Sequence, residues 1–530
     1  MNRPYLLPVI ATLIAGSGAT GSMLAAAETP FVGPAATAMG GSSVAIADDA
    51  LAQYHNPAFF GFMGRTPDTP VAPEGENGTA PEHARADRRD LGDRRFSLNY
   101  VDVNMGGQLL GNLGTLVSQL NDINTDALEN ASSLTAQDIK DITTLAASLS
   151  SIDDPGNLAL LDANAGASIQ IGSIGVGLRS FGMAQAYVDD VDLQNLGLDF
   201  ANGAALGNEI ASTAASDPGY TPGSLQVLSN DQATELGGSL GGNAAAVQYI
   251  DHQLQQGLAD GTITPDQIDE TIATLTAIGN ATGTGGSLDQ NTTLLVASGI
   301  GLFEIPVSYG YAFNDNLSIG ITGKLLMGRV YGGAARVFDD DFEDAFSDIT
   351  DNSKETTTAT FDLGVAYRVG QFQLGARGTN LTKPEFDGPQ VSVDSNGNGT
   401  IEPGEQFTVD TITLDPQLTI GGAWIPWSNL VLTLEGDLLE ASTVSEFYDT
   451  RYIRGGLEWD ALDVLALRGG AYMNTANSDA PLVITGGVGL DLYLLQVDLA
   501  AAVSPGDTAE FDGDEYPEVF RVSLGVKSVF

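Results

Sequence analysis

The sequence predicts an all-β transmembrane barrel of about fourteen antiparallel strands, and three observations lead there. From about Phe96 onward, short segments alternate apolar with polar residues, the period of a strand that shows one face to lipid and the other to a lumen. The connections between these segments are alternately very short and very long, as in barrels with tight periplasmic turns and large outer loops. The chain ends FRVSLGVKSVF, with Phe520, Val522, Leu524, Val526 and Phe530 on one face.

The chain opens with Met1, Asn2 and Arg3, then an apolar run from Tyr5 to about Ile14, then Ala25-Ala26-Ala27 before Glu28. A basic start, an apolar stretch and an A-x-A site make residues 1–27 a secretory signal peptide, with the mature chain starting at Glu28. Beyond it no apolar run is long enough for a transmembrane helix. An exported chain of that kind is either soluble outside the cytoplasm or a membrane barrel. Residues 28–95 make a separate N-terminal segment that ends in a cluster of arginines (Arg85, Arg88, Arg89, Arg94, Arg95), and 96–530 carry the barrel.

Fourteen segments meet the alternation criterion, near 96–105, 165–171, 175–187, 302–313, 317–331, 358–369, 372–380, 415–425, 430–440, 451–459, 464–474, 482–493, 496–503 and 519–530. The clearest put Ile453, Leu457 and Trp459 opposite Arg454 and Glu458, and Leu430, Leu432, Leu434 and Leu438 opposite Thr433, Glu435 and Asp437. Lipid outside and a polar lumen inside satisfy both faces. If the first strand runs outward, every short connection falls on the periplasmic side and every long one outside. Trp424, Trp427 and Trp459 then all sit at the periplasmic rim, as interfacial rings do.

Two outer connections, 106–164 and 188–301, are large enough to hold structure of their own. TAQDIKDITTLAASL offers Thr135 as a helix N-cap with Asp138 three residues on, and TPDQIDETIATLTAI offers Thr264 followed by Pro265 at the first helical position. Partly helical, acidic caps over the barrel mouth are expected, with a flexible Gly-, Ala- and Asn-rich insert as the alternative for 200–245. The formal charge of −47 excludes a nucleic-acid partner, which needs a cationic face. There is no cysteine, and the three histidines, His55, His83 and His252, lie off every expected strand. No Ser/His or Asp/His set can be assembled on the barrel, so the chain is not read as an enzyme.

Residues 394–405, DSNGNGTIEPGE, match a calcium loop position by position. Asp394, Asn396 and Asn398 occupy positions 1, 3 and 5, and Gly399 makes the sharp turn at 6. Thr400 offers its carbonyl at 7, Glu402 stands at 9 and Glu405 closes the site at 12. A structural Ca²⁺ is therefore expected; a polar Asn-Gly turn that holds no ion is the alternative. PQVSV before the loop and QFTVDTITL after it are strand-like, so no helix pair exists to open and the loop is not a sensor.

ATAMGGSSVAIADDALAQYHNPAFF (36–60), with Met39-Gly40-Gly41 and Asn56-Pro57-Ala58, resembles the leading segment of the FadL superfamily of outer-membrane transporters. Within it the likeness is to the conjugal-transfer TraF-like branch. FEIPVSYGYAFNDNLSIGITGKLLMGRVYG (303–332), LDPQLTIGGAWIPWSNLVLTLEGDL and YIRGGLEWDALDVLALRGGAYMN continue the likeness. The resemblance implies a fourteen-stranded barrel with residues 28–95 folded into the lumen as a hatch, in a wall that contacts outer-membrane lipid. The terminal strand ending in Phe530 resembles the signal used by the barrel assembly machinery, with Ser528 less aromatic than that pattern. A chain without cysteine performs no thiol exchange, which separates it from the thioredoxin-like conjugation protein that shares the TraF name.

Two functions fit these readings. One is passive, hatch-gated transport of a hydrophobic small molecule across the outer membrane. The other is a surface or assembly role in conjugal transfer or secretion, acting through the acidic outer loops.

Overall fold

The computed structural model describes residues 31–63, 91, 94–110, 133–152, 157–189, 191–193, 195–196, 198–265, 267–283, 290–337, 352–394, 400–445, 448–462, 464–477, 480–506, 508–511 and 514–530. The expected signal peptide, His83, Asn396 and Asn398 lie outside the described residues.

Fourteen strands pair in chain order into one closed antiparallel barrel. They are β1 (Phe96–Leu110), β2 (Leu158–Ile171), β3 (Ile174–Asp189), β4 (Leu294–Ala312), β5 (Leu317–Arg336), β6 (Ser353–Val369) and β7 (Phe372–Thr379). There follow β8 (Gln417–Trp427), β9 (Leu430–Asp437), β10 (Tyr452–Leu462), β11 (Leu465–Asn474), β12 (Val483–Asp491), β13 (Gln496–Val503) and β14 (Val519–Val529). The barrel closes through β1 on β14, from Ser97↔Val529 to Gln108↔Val519. Every interior backbone group of the wall thereby has a neighbouring strand to bond, with no open edge.

Side-chain alternation sets inside from outside. Ile453, Leu457 and Trp459 are 40–51% exposed, whereas Arg454 and Glu458 are 3% and 1%. The outward residues form an aliphatic belt that includes Val307, Ile319, Leu363, Ile420, Leu434, Ile484, Leu499 and Leu524. At one rim Trp424, Trp427 and Trp459 all point outward, and Phe372 stacks on Trp424 with centroids 6.4 Å apart. This is the rim of the short turns at 172–173, 370–371 and 428–429.

Several strands run further than alternation predicts: β1 to Leu110, β2 from Leu158, β4 from Leu294 and β6 from Ser353. The extension of β2 has a physical cause. Leu158 and Leu160 face an apolar lumen while Ala159, between them, packs into a helical cap, so all three are buried. A strand buried on both faces loses the alternation by which it is recognised.

The cap consists of α4 (Ala136–Ile152), α5 (Gly203–Ser216), α6 (Asn230–Ser239), α7 (Ala244–Asp260) and α8 (Ile268–Ala281). The labels α1–α3 belong to the N-terminal segment: Pro34–Ala38, Ala52–His55 and Phe59–Phe62. Leu145, Leu149, Leu206, Ile210, Leu236, Tyr249, Leu254, Ile272 and Leu275 give the cap its own core. Thr135 caps α4 as expected: its hydroxyl accepts from the Asp138 amide (3.2 Å) and its own amide donates to Asp138 (2.7 Å). Residues 200–245 are helical in α5 and α6, with Ser229 and Gln232 forming a reciprocal cap. The helix expected from Thr264 starts later, at Ile268. A single turn precedes it, in which the Thr264 amide donates to Gln267 Oε1 (2.9 Å) and the Gln267 amide donates to the Thr264 carbonyl (3.1 Å).

Candidate functional site

The lumen differs from the uniformly polar interior expected of it. Its inward face is charged along much of the wall, while towards the long loops it is apolar.

The charged part is built from strand pairs whose side chains meet across the register. Arg179 on β3 donates to Asp102 on β1 (2.6 Å) and Asn164 on β2 (2.7 Å). Lys324 on β5 reaches Asp362 on β6 (2.7 Å) and Glu304 on β4 (3.7 Å). Arg454 on β10 grips Asp437 (2.7 Å) and Glu435 (3.2 Å) on β9. Arg468 on β11 bridges Glu458 and Asp498, and Arg521 on β14 takes Asp162 on β2. All of these side chains are at least nine-tenths buried. A buried charge is costly without a partner, so the pairs explain why so many ionised groups face inward.

Residues 31–63 fold against this lattice inside the barrel and are themselves almost wholly buried. Ser43 and Val44 donate their amides to Glu435 Oε2 (2.8 and 2.7 Å). The Phe31 carbonyl accepts from Asn104 (2.9 Å) and Asn164 (3.1 Å), and Thr485 accepts from Gly40 and donates to Ala38. Asn56 holds extended backbone (φ −166°) ahead of Pro57, as the residue before proline prefers. Its side-chain amide bridges the Val44 and Val365 carbonyls (2.9 and 3.0 Å). Two ion pairs finish the attachment, Lys527 to Asp49 (2.7 Å) and Arg94 to Asp48.

This close packing depends on wall glycines that motif reasoning passed over. A Cβ on Gly320 would lie 2.2 Å from the Pro57 carbonyl carbon, and one on Gly470 2.5 Å from that of Met39. Gly40 and Gly41 turn the segment at φ +70° and +85°, where other residues are strained. Glycines at inward strand positions were the available signal, since a strand interior otherwise disfavours them.

The apolar part continues above. Leu110, Leu158, Leu160, Phe181, Met183, Ile300, Leu302, Leu326 and Val330 project from β1–β5. They meet Phe386, Val391, Val409, Ile412 and Leu414 from two short ribbons, 385–386 with 412–413 and 390–392 with 406–408. The same cluster includes Val32, Leu51 and Tyr54 of the N-terminal segment. One apolar column therefore runs from the loop ribbons down to that segment.

Of the expected calcium ligands, Asp394, Thr400, Glu402 and Glu405 are described. They lie on the connection of the second ribbon, between β7 and β8, with Gln406 paired to Ser392. The flanks are strands, as read. The Val393 amide donates to the Glu405 carbonyl (3.0 Å), and the Glu402 amide donates to Glu405 Oε2 (2.9 Å). Among the described residues no three His, Asp or Glu side chains gather closely enough to hold a metal. In the cap, Tyr249 donates to Asp217 (2.7 Å), and that bond holds the Asp217 carboxyl below its usual range.

A family model described as "F plasmid transfer operon, TraF, protein" matches residues 87–438. No curated protein matches the sequence. Solved structures of similar shape include the toluene transporter TbuX of Ralstonia pickettii, 12% identical, covering 94% of this chain and 99% of that one at a TM-score of 0.42. A FadL homologue of Pseudomonas aeruginosa is 9% identical over 96% and 99%, with a TM-score of 0.42. The P. putida toluene transporter TodX is 10% identical over 95% and 98%, with a TM-score of 0.40. Likeness at this level transfers no substrate.

Glu435 holds two amides of the N-terminal segment and one guanidinium of the wall. Glu435→Gln removes the charge facing Arg454 and is expected to cost about 3 kcal/mol, the low end for breaking a buried pair, because the amide oxygen still accepts. Proteinase K should then cut within 31–63 of the purified barrel at doses that leave the parent intact. Equal cleavage of the two would show that Glu435 does not hold the segment.

Proposed function

The chain belongs to the family described as "F plasmid transfer operon, TraF, protein", and we propose that it works as a passive outer-membrane channel for a small hydrophobic molecule, gated by residues 31–63 as a hatch. The reading rests on the apolar column, which joins the loop ribbons at the mouth to Val32, Leu51 and Tyr54 of the plug. A closed barrel with an aliphatic outer belt and an aromatic rim suits the outer membrane. An inner apolar column suits a molecule that leaves water without needing polar partners. Leu302→Asp, set inside the column, should lower passage of such a molecule while leaving the barrel folded.

A second reading is favoured by the cap, which packs around its own core. Residues 188–301 carry fourteen acids and no Lys or Arg, a field suited to a cationic partner surface in conjugal transfer or secretion. One experiment separates the two: a chain in which 191–290 is replaced by a short linker is compared with the parent for uptake of labelled alkane into cells. The channel reading expects uptake to persist without the cap and to fall with Leu302→Asp. Uptake indifferent to the column substitution, with the cell phenotype lost on removing the cap, would establish the second reading instead.

We further propose that Asp394, Asn396, Asn398, Thr400, Glu402 and Glu405 bind a structural Ca²⁺. The support is the ligand order in the sequence, together with the ribbon that brings the two ends of the loop side by side. The ion would fasten a ribbon whose Val391 lies in the apolar column, with an affinity of roughly 0.1–1 mM in keeping with outer loops. Millimolar calcium should protect the 394–405 connection from protease in intact barrels. Identical digestion with calcium and with chelator would exclude the site.

A further inference from the structure

At the foot of the apolar column, where it meets the charged wall, a cavity of ≈ 60 Å³ has both apolar lining, from Val32, Phe181, Leu302 and Leu414, and polar lining, from Tyr54, Glu304, Lys324, Arg377 and Thr379. Four polar atoms of its lining have no hydrogen-bond partner: Tyr54 Oη, Glu304 Oε1, Arg377 Nε and Thr379 Oγ1. Glu304 and Thr379 are 3% and 6% exposed, so water outside the barrel does not reach them freely. Groups of this kind are costly to leave unpaired, and a bound molecule that satisfies them gains that difference.

We propose that this cavity is a head-group site for a neutral, hydroxyl-bearing apolar molecule, an aliphatic alcohol; the inference rests on the channel reading and names its class of ligand. The chemistry of the orphaned atoms makes the selection. A carboxylate oxygen only accepts and a guanidinium Nε only donates, so the group between them must do both, and a hydroxyl does. The site is electrically balanced: Arg377 and Lys324 stand against Glu304 and Asp362, the latter holding Lys324 at 2.7 Å. An anionic head would bring a second negative charge to Glu304, whereas a plain hydrocarbon would leave all four atoms orphaned.

Size gives the same answer. A cavity that accepts benzene measures about 150 Å³, so this one takes a head and not a ring. The remainder of the molecule would enter by displacing packed side chains of the column, to which Phe181, Leu302 and Leu414 belong.

The test is equilibrium binding of labelled 1-octanol, octane and octanoate to the full barrel in lipid nanodiscs, with empty nanodiscs as blank. Octanol should bind most tightly, and Thr379→Val and Arg377→Met should each weaken octanol roughly five- to tenfold while leaving octane unchanged. Retained octane binding also reports that each variant is folded. Octanoate binding more tightly than octanol, or octanol affinity indifferent to both substitutions, would overturn the head-group site and leave the channel reading standing. Failure of octane and octanol alike to bind the parent above blank would defeat both.

Discussion

Hydrocarbon offers no partner to a peptide N–H or C=O, and that single deficiency governs the architecture. Each wall strand must find both neighbours, so the sheet closes β1 on β14. Closure in turn divides every strand into an outward and an inward face. The outward face has one solvent and one answer, aliphatic side chains with rings at the rim. The inward face has no bulk solvent at all over much of its area, because residues 31–63 and the loop ribbons occupy it. What fills the lumen must therefore satisfy the wall group by group.

Two solutions coexist there. At Arg179, Lys324, Arg454, Arg468 and Arg521 an acid on an adjacent or nearby strand pairs with the wall cation, and the plug adds amides and carboxylates where the wall leaves capacity, as at Glu435 and Lys527. Where the wall carries Leu, Ile, Phe and Met, the ribbons supply Phe386, Val391 and Ile412. The boundary between the two falls beside Glu304 and Leu302, consecutive inward positions on β4 that face opposite kinds of neighbour.

Much of the barrel was legible because its outward face is chemically simple. Alternation found all fourteen strands, and the rim tryptophans fixed which connections belong together. Strand ends were not legible where both faces are buried, as at Leu158–Leu160, since the pattern that reveals a strand is the contrast between its faces. The helix after Thr264 began three residues late, behind a separate turn that spans Thr264 to Gln267. Arg454, Glu435 and Asp437 were visible as a luminal set, but the hold of Glu435 on Ser43 and Val44 joins positions almost four hundred residues apart. Pairing at that distance leaves no trace in local periodicity. The wall glycines were visible letters without a visible reason until Pro57 and Met39 were seen against them.

The same contacts limit how a channel of this kind can open. Amides, carbonyls and side chains of Phe31, Thr37, Ala38, Gly40, Ser43, Val44, Gln53, Asn56 and Ala58 are bonded to the wall. At about 1 kcal/mol net for each bond, withdrawing the whole segment costs on the order of 10 kcal/mol, a population below about one in a million. Expulsion of the entire plug is too rare to support passive flux. On the channel reading opening is local, and the stretch between Val44 and Gln53 is tied to Arg94 and Lys527 through Asp48 and Asp49. Both are side-chain ion pairs at incompletely buried groups, which exchange partners more readily than amides locked against a strand. A gate built there moves a few residues and leaves the glycine-packed turns at Met39 and Pro57 in place, so the barrel keeps its inner support while the path changes.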